Sequence, residues 1–445
     1  MIKTLVLVDG EHYPPTTRWA LQTARAEGFD VVACLFVGGT EKVAPGELPD
    51  LGPVPVEAAR RDLVGSVRDA IRRHGPEAVL DVSDEPVLGY RERALVAAAS
   101  LAEGVTYMGA DFSLQPPIDG PTLASPTLAV IGTGKRTGKT AVAGEAARTA
   151  ASAGLSPVLV AMGRGGPPEP QVAEAGSVSL ERLLTLLTEG HHAASDYLED
   201  ALTTGVPTVG ARRAGGGLAG RPYASNVREA ARRAEELNPG LVILEGSGAA
   251  VPPVPWDAGV LVAPANLPEE FLRGYLGPYR VLLSDLVVFT MGAGPDVGPQ
   301  ELSVLISHVR ELRPDARTIV VDLYPVPLEE VRGRKVFFAT TAPPAAGPRL
   351  VSSLEETQGA SVVGTTHRLG DRGGLEEDLE AAPPFDVLVT ELKAAAVDVA
   401  ARAALDRGAE VVFADNRAVT IEGDGDLSDL LLEAARLAVE RAKDR

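Results

Sequence analysis

The residues with the clearest chemical purpose are Gly132-Thr-Gly-Lys-Arg-Thr-Gly-Lys-Thr140, set between the apolar run Thr127–Ile131 and a helix-forming stretch, Lys139–Ala153. Glycines let main-chain N–H groups converge on phosphate oxygens where a side chain would block approach. The following helix offers its N-terminal donors and positive dipole end to the same anion. Gly132, Gly134, Lys135, Thr137 and Gly138 are therefore expected to cradle the phosphates of ATP. Lys139 is placed to bridge the β- and γ-phosphates, and the Thr140 hydroxyl to ligate Mg²⁺. The spacing departs from GxxxxGK[ST]: the first glycine position holds Thr133, with Gly132 and Gly134 on either side. Lys135 and Arg136 add charge inside the loop, and Arg136 joins Lys139 as a candidate for offsetting charge in a transition state.

A loop of this kind works with a carboxylate at the end of a neighbouring strand. Leu241-Val-Ile-Leu-Glu-Gly-Ser-Gly248 supplies Glu245, expected to hold Mg²⁺ directly or through water, or to orient a nucleophile. Its Glu-Gly-x-Gly form resembles the dethiobiotin-synthetase-like branch of P-loop enzymes. Cations then recur in glycine-rich sequence read as loops: Arg164 in Met162-Gly-Arg-Gly-Gly-Pro167, Arg212 and Arg213 before Gly215-Gly-Gly217, and Arg221. Each alone is equally a solvated loop residue. Together they point to an anionic second substrate, because arginine presents a planar fork to phosphate.

Strand-end loops near the N-terminus carry a second cluster: Asp9-Gly-Glu-His-Tyr-Pro-Pro15, Gly38-Gly-Thr-Glu-Lys42, and Ser83-Asp-Glu-Pro86 with Arg91 and Arg93 beyond it. Open α/β sheets bind ligands at such ends. His12, whose charge can change near neutral pH, and Arg91 are the candidates for substrate binding there. Toward the C-terminus, Thr365-Thr-His-Arg368, Glu391-Leu-Lys393 and Asp415-Asn-Arg417 again follow apolar runs. Lys393 and Arg368 are read as phosphate contacts, with Glu391 and Asp415 as their structural partners.

Positioning these residues requires a regular scaffold, and the pattern supplies one. Short Val- and Leu-rich runs (Leu5–Val8, Val31–Val37, Ala78–Val82) alternate with helical stretches such as Thr17–Glu27 and Ala58–His74. That alternation implies parallel sheet covered by helices on both faces. Further strands are expected at Pro157–Ala161, Leu241–Leu244, Val260–Val262, Val281–Phe289, Thr318–Val321, Lys335–Ala339, Ser361–Gly364, Val387–Thr390 and Val411–Ala414. The proline-rich stretch Ser113–Pro126 reads as a linker. The fold class expected is α/β: a Rossmann-like open-sheet domain (1–118), a P-loop NTPase domain (126–345) and an α/β extension (346–445). That extension is either a third domain or the far edge of the second sheet.

The chain has 445 residues and a formal net charge of −19, from 42 Lys+Arg against 61 Asp+Glu. This acidic balance disfavours nucleic acid and anionic membrane as partners but leaves room for a small basic pocket. Cys34 is the sole cysteine, so no intrachain disulfide forms. The N-terminal apolar run is too short for a signal peptide, and a cytoplasmic location is expected.

VDGEHYPP, GTGKRTGKTA, LEGSG and TELKAAAVDVA together resemble the cyclic 2,3-diphosphoglycerate synthetase family over essentially the whole chain. The resemblance implies ATP-dependent closure of 2,3-bisphosphoglycerate into an intramolecular pyrophosphate, with release of ADP and phosphate. It implies a small phosphorylated substrate, and a homodimer is the assembly expected. Two alternatives remain at this level. One is a kinase making 2,3-bisphosphoglycerate from 2-phosphoglycerate. The other is a P-loop switch or metallochaperone, which Cys34 and the pair His191–His192, read as helical, would serve poorly as metal ligands.

Overall fold

The computed structural model describes residues 1–445. Near the N-terminus, Val56–Ala58, Phe29–Phe36, Ile2–Val8, Ala78–Asp81, Thr106–Met108 and Ser113–Leu114 form one six-stranded sheet in that spatial order. Its pairs are parallel except the last. Helix Pro14–Ala26 covers one face through Leu21 and Ala24, and helices Leu63–His74 and Tyr90–Ala102 cover the other. Leu63–His74 shows how locally this is specified. Asp62 caps its first turn by accepting from the Gly65 N–H at 2.9 Å, and Gly75 ends it at φ 57°, a left-handed conformation suited to glycine.

Thr127–Gly132, wholly buried, lies inside the second sheet between parallel Leu241–Glu245 and Ala258–Pro264. Pro157–Gly163 and Thr208–Ala214 extend the sheet on one side, and Leu286–Thr290 and Arg317–Pro327 on the other. Val281–Phe289 is therefore not one strand. Gly277–Leu282 is a helix begun by Pro278, and the strand starts only at Leu286.

The 14-residue strand Glu410–Gly423 belongs to two neighbourhoods. Its first residues pair in parallel with Val387–Thr390, which leads on to Lys335–Ala339 and Ser361–Thr366. The rest runs antiparallel to Arg317–Pro327. The chain then returns as helix Leu427–Lys443, which buries Leu430, Leu431 and Ala434 against the P-loop strand's Leu128 and Val130.

Two contacts decide where the ligand edge lies. Helix Tyr90–Ala102 packs on Gly277–Leu282, with the Tyr90 and Tyr275 rings edge to face at 5.9 Å. Helix Asp196–Thr204 is wedged between the P-loop sheet and the C-terminal residues, where Tyr197, Leu198 and Ala201 share one core with Leu369, Leu392 and Ala396. The C-terminal ends of Thr127–Gly132, Leu241–Glu245 and Pro157–Gly163 thus meet the loop that follows Val387–Thr390.

Candidate active site

The glycine-rich loop closes over its own lysine. Lys139, 7 % exposed, donates from Nζ to the Gly134 carbonyl at 2.7 Å and to Thr137 Oγ1 at 3.1 Å. Gly132 makes this possible, since a Cβ there would sit 2.7 Å from the lysine's Cδ. Gly138, at φ 85°, turns the chain into helix Lys139–Ser152, and Thr290 braces the turn by donating to the Thr137 carbonyl at 2.8 Å. Burial lowers the Lys139 pKa to about 8, although Glu245 and Asp196 pull it upward. An ammonium buried on two neutral acceptors is short of negative charge, which is what phosphate would supply.

Thr140 Oγ1 donates to Glu245 Oε1 at 2.8 Å. Glu245 is buried, and burial followed by the charge of Asp196 raises its carboxyl pKa. Asp200 lies against it, with neither carboxylate oxygen meeting an N–H or hydroxyl donor. Burial, then the Glu245 charge, raises Asp200 well above the ordinary aspartate range. Two carboxyls this close disfavour each other's ionisation. No cluster of three or more His, Cys, Asp or Glu is arranged to enclose a metal ion. A hydroxyl beside buried carboxylates nevertheless fits Mg²⁺, which takes few protein ligands and completes its shell with phosphate oxygens and water.

Helix Asp196–Thr204 contributes three acids that sequence reasoning missed: Asp196, Glu199 and Asp200. Their spacing puts them on one helix face, which would have flagged them had the helix itself been recognised. Glu199 meets Lys393 Nζ at 2.9 Å, and burial raises its carboxyl to about 8 against the pull of that ammonium. Burial works against the Lys393 charge, but Glu199 and Glu391 more than offset it and raise its pKa. Glu391 accepts from Thr340 and Thr341 hydroxyls at 2.8 and 2.7 Å and stays low despite burial.

The cations singled out from sequence divide into two groups. Lys135 and Arg136 are exposed on the loop, and Arg164 is exposed at the end of Pro157–Gly163. Lys135 is lowered by burial, then by Arg164 and Arg136, and Arg213 by burial, then by Arg164, so these four form one mutually repelling arc. Arg212 and Arg213 lie on strand Thr208–Ala214, not in a loop. Arg213 reaches the Ser247 carbonyl at 2.9 Å, whereas Arg212 is committed to the Gly166 carbonyl at 3.0 Å. Arg221 pairs with Asp119 and Gln115 of the proline-rich segment. Arg368 is held by Asp378 and Glu377, and Asp415 pairs with Arg148 and Arg417.

The two N-terminal candidates sit elsewhere. His12 Nδ1 hydrogen-bonds Asp9 Oδ1 at 2.8 Å and lines a cavity of about 170 Å³ with Thr16, Thr17 and Trp19. Arg91 is exposed near the start of Tyr90–Ala102, where its charge reaches His308 and not the loop. His191 and His192 fall between helices, not on one. No helix is long and apolar enough to cross a membrane.

A parallel sheet, a phosphate-binding loop with a buried lysine, and a strand-end carboxylate bonded to the loop's threonine define a P-loop enzyme that uses ATP. The chain belongs to the cyclic 2,3-diphosphoglycerate synthetase family: models of its N-terminal, P-loop and C-terminal domains match residues 3–115, 127–322 and 327–417. Its relatives include proteins named cyclic 2,3-diphosphoglycerate synthetase from a bacterium and from methanogenic archaea. The one from Rubrobacter xylanophilus is 49% identical over 98% of each chain. That from Methanothermobacter thermautotrophicus is 41% identical over 98% of this chain and 96% of its own. That from Methanothermus fervidus is 39% identical over 99% and 98%.

Proposed function

We propose that this protein uses ATP to close 2,3-bisphosphoglycerate into cyclic 2,3-diphosphoglycerate, releasing ADP and phosphate. The supporting observation is the meeting of two charge sets at one sheet edge. One is the phosphate-short Lys139 with the Glu245–Asp200 pair, and the other is the unpaired arc Lys135, Arg136 and Arg164. ATP and a bisphosphate each carry several negative charges, and the arc leaves cations free to receive them.

One phosphate oxygen of the acceptor attacks the γ-phosphorus, and the bond to ADP breaks. The acceptor's second phosphate then attacks the first acceptor phosphorus, forming the P–O–P bridge and expelling the transferred group as phosphate. Holding both phosphates on one three-carbon frame removes most of the entropic cost of that second attack. Lys139 and Arg136 offset charge as it builds on the transferred group, with Lys135 assisting. Thr140 and Glu245 would hold Mg²⁺, which when bound neutralises phosphate charge and orients its oxygens. Burial raises both Glu245 and Asp200, which limits the negative charge the pair adds to a site built for anions. Arg213 and Lys393 border the acceptor, Arg213 also steadying the Ser247 carbonyl just beyond Glu245. His12, Arg91, Arg212 and Arg221 are not needed for this chemistry. The assembly proposed is a cytoplasmic homodimer that engages neither nucleic acid nor membrane, in keeping with the charge of −19.

³¹P NMR of the purified protein with ATP, Mg²⁺ and 2,3-bisphosphoglycerate tests the reading. A pyrophosphate-type resonance should grow in step with ADP and phosphate. ATP hydrolysis with unchanged 2,3-bisphosphoglycerate would refute it.

A further inference from the structure

One buried guanidinium in this chain meets no carboxylate. Arg280, on helix Gly277–Leu282, is 5 % exposed. Its Nη1 donates to the Leu276 carbonyl at 2.9 Å and its Nη2 to the Ala249 carbonyl at 2.6 Å, while Nε has no acceptor. Arginine does not give up its proton, so the charge persists wherever the side chain is placed. Among half-buried arginines, Arg93 meets Asp81 and Arg148 meets Glu145 and Asp415, whereas Arg213 also rests on carbonyls alone. A buried charge with only carbonyl partners is costly unless an anion is meant to arrive.

A second orphan belongs to a residue that lines the same space. Thr133 Oγ1, in the phosphate-binding loop, is buried and has no hydrogen-bond partner. Thr133 and Arg280 line one cavity of about 120 Å³, whose remaining wall includes Leu218, Phe271 and Tyr275. Leu218 is 80 % exposed and the two aromatic rings are also exposed, which gives the cavity an apolar rim at its mouth. Arg280 also holds the loop that follows Glu245, through the Ala249 carbonyl. The cavity thus joins a free donor on the ATP-binding loop to an uncompensated cation on the element that packs against helix Tyr90–Ala102.

We propose that this cavity is an oxyanion subsite for the acceptor, taking one charged end of a small phosphorylated acid between Thr133 and Arg280 while the reacting phosphate lies toward Lys139. The identity of the acceptor rests on the function proposed above; the subsite itself rests on the two orphaned donors. An occupant would supply the counterion that Arg280 lacks, and the apolar rim would shield the reacting phosphates from water.

Isothermal titration of the full-length protein with 2,3-bisphosphoglycerate, and separately with a non-hydrolysable ATP analogue, tests this. Thr133→Val keeps the β-branched shape and should weaken 2,3-bisphosphoglycerate about tenfold, leaving the ATP analogue within about twofold. Arg280→Gln should weaken it further, with thermal melting used to check that the variant is folded. Unchanged 2,3-bisphosphoglycerate affinity in Thr133→Val, or equal losses for both ligands, overturns the subsite. Glycerol 1,2-bisphosphate, which lacks the carboxylate, identifies the bound end. The same loss assigns a phosphate to the cavity and no loss assigns the carboxylate, and either supports the subsite. Formation of cyclic product by the unaltered protein is read independently by ³¹P NMR, so failure of the acceptor's identity and failure of the subsite give different results.

Discussion

Lys139 offers a test in which the structure sets both the size and the sign of a pH effect. Its pKa falls from 10.5 to about 8 because the ammonium is buried on two neutral acceptors. At about 1.4 kcal/mol per unit, the empty loop disfavours the charged lysine by about 3 kcal/mol. A phosphate at Nζ restores the missing charge and returns the pKa toward its ordinary value. Nucleotide binding should therefore take up about half a proton at about pH 8, and Kd for a non-hydrolysable ATP analogue should rise about tenfold between about pH 7 and about pH 9. Stability of the nucleotide-free protein should move the opposite way. Between about pH 8 and about pH 10.5 the unfolded chain binds more protons at this lysine, so stability rises with pH across that window. Calorimetry in two buffers of different ionisation enthalpy measures the uptake. Lys135→Met should retain it and Lys139→Met should lose it along with turnover. An affinity flat from pH 7 to pH 9 would refute the argument that Lys139 waits for a phosphate.

Two further substitutions probe other parts of the site. Glu245→Gln keeps an acceptor for the Thr140 hydroxyl but removes a charge beside Asp200, so kcat should fall by about 10²–10³ while urea unfolding shows a gain of about 1–2 kcal/mol. Arg221→Ala should leave both KM values unchanged and cost less than about 1 kcal/mol, because its side chain is spent on an exposed pair with Asp119. A raised KM for 2,3-bisphosphoglycerate would return Arg221 to the site.

The loop from Gly132 to Thr140 was legible because everything it needs is local: small residues, a lysine, a buried strand before and a helix after. Glu245 was legible for the same reason, as a carboxylate ending the apolar run Leu241–Leu244. What escaped was whatever depends on a distant partner. Ser195-Asp-Tyr-Leu-Glu-Asp200 opens a helix whose acids, in isolation, belong on a solvated face. Packing against Pro157–Gly163, Thr208–Ala214 and helix Lys139–Ser152, with C-terminal residues joining the same core, turns Glu199 and Asp200 into buried groups. Thr208–Ala214 was hidden by its Arg-Arg ending, since a charged strand end lacks the alternation that marks a strand. Val281–Phe289 misled in the other direction, because a continuous apolar run does not separate a helix end from a buried strand.

The same reasoning explains how a chain of net charge −19 can receive two polyanions. Arg164, Arg221 and Arg368 are alike in sequence, each next to glycine or a strand end. In the folded chain Arg221 meets Asp119, and Arg368 meets Asp378 and Glu377, so their charges are consumed by structure. Arg164 meets no acid and instead presses on Lys135 and Arg213. Burial and then Arg164 lower Lys135 and Arg213 while the charge of Asp196 opposes this, so one acid acts on the arc without forming an ion pair with it. Two other acids near the P-loop are turned to other tasks, Glu245 to Thr140 and Glu199 to Lys393. Were either of them to swing onto Arg164 or Lys135, the site would lose unpaired positive charge. Lys393, from the C-terminal residues, holds Glu199 away from the arc, and Thr140 at the start of the phosphate-binding helix does the same for Glu245.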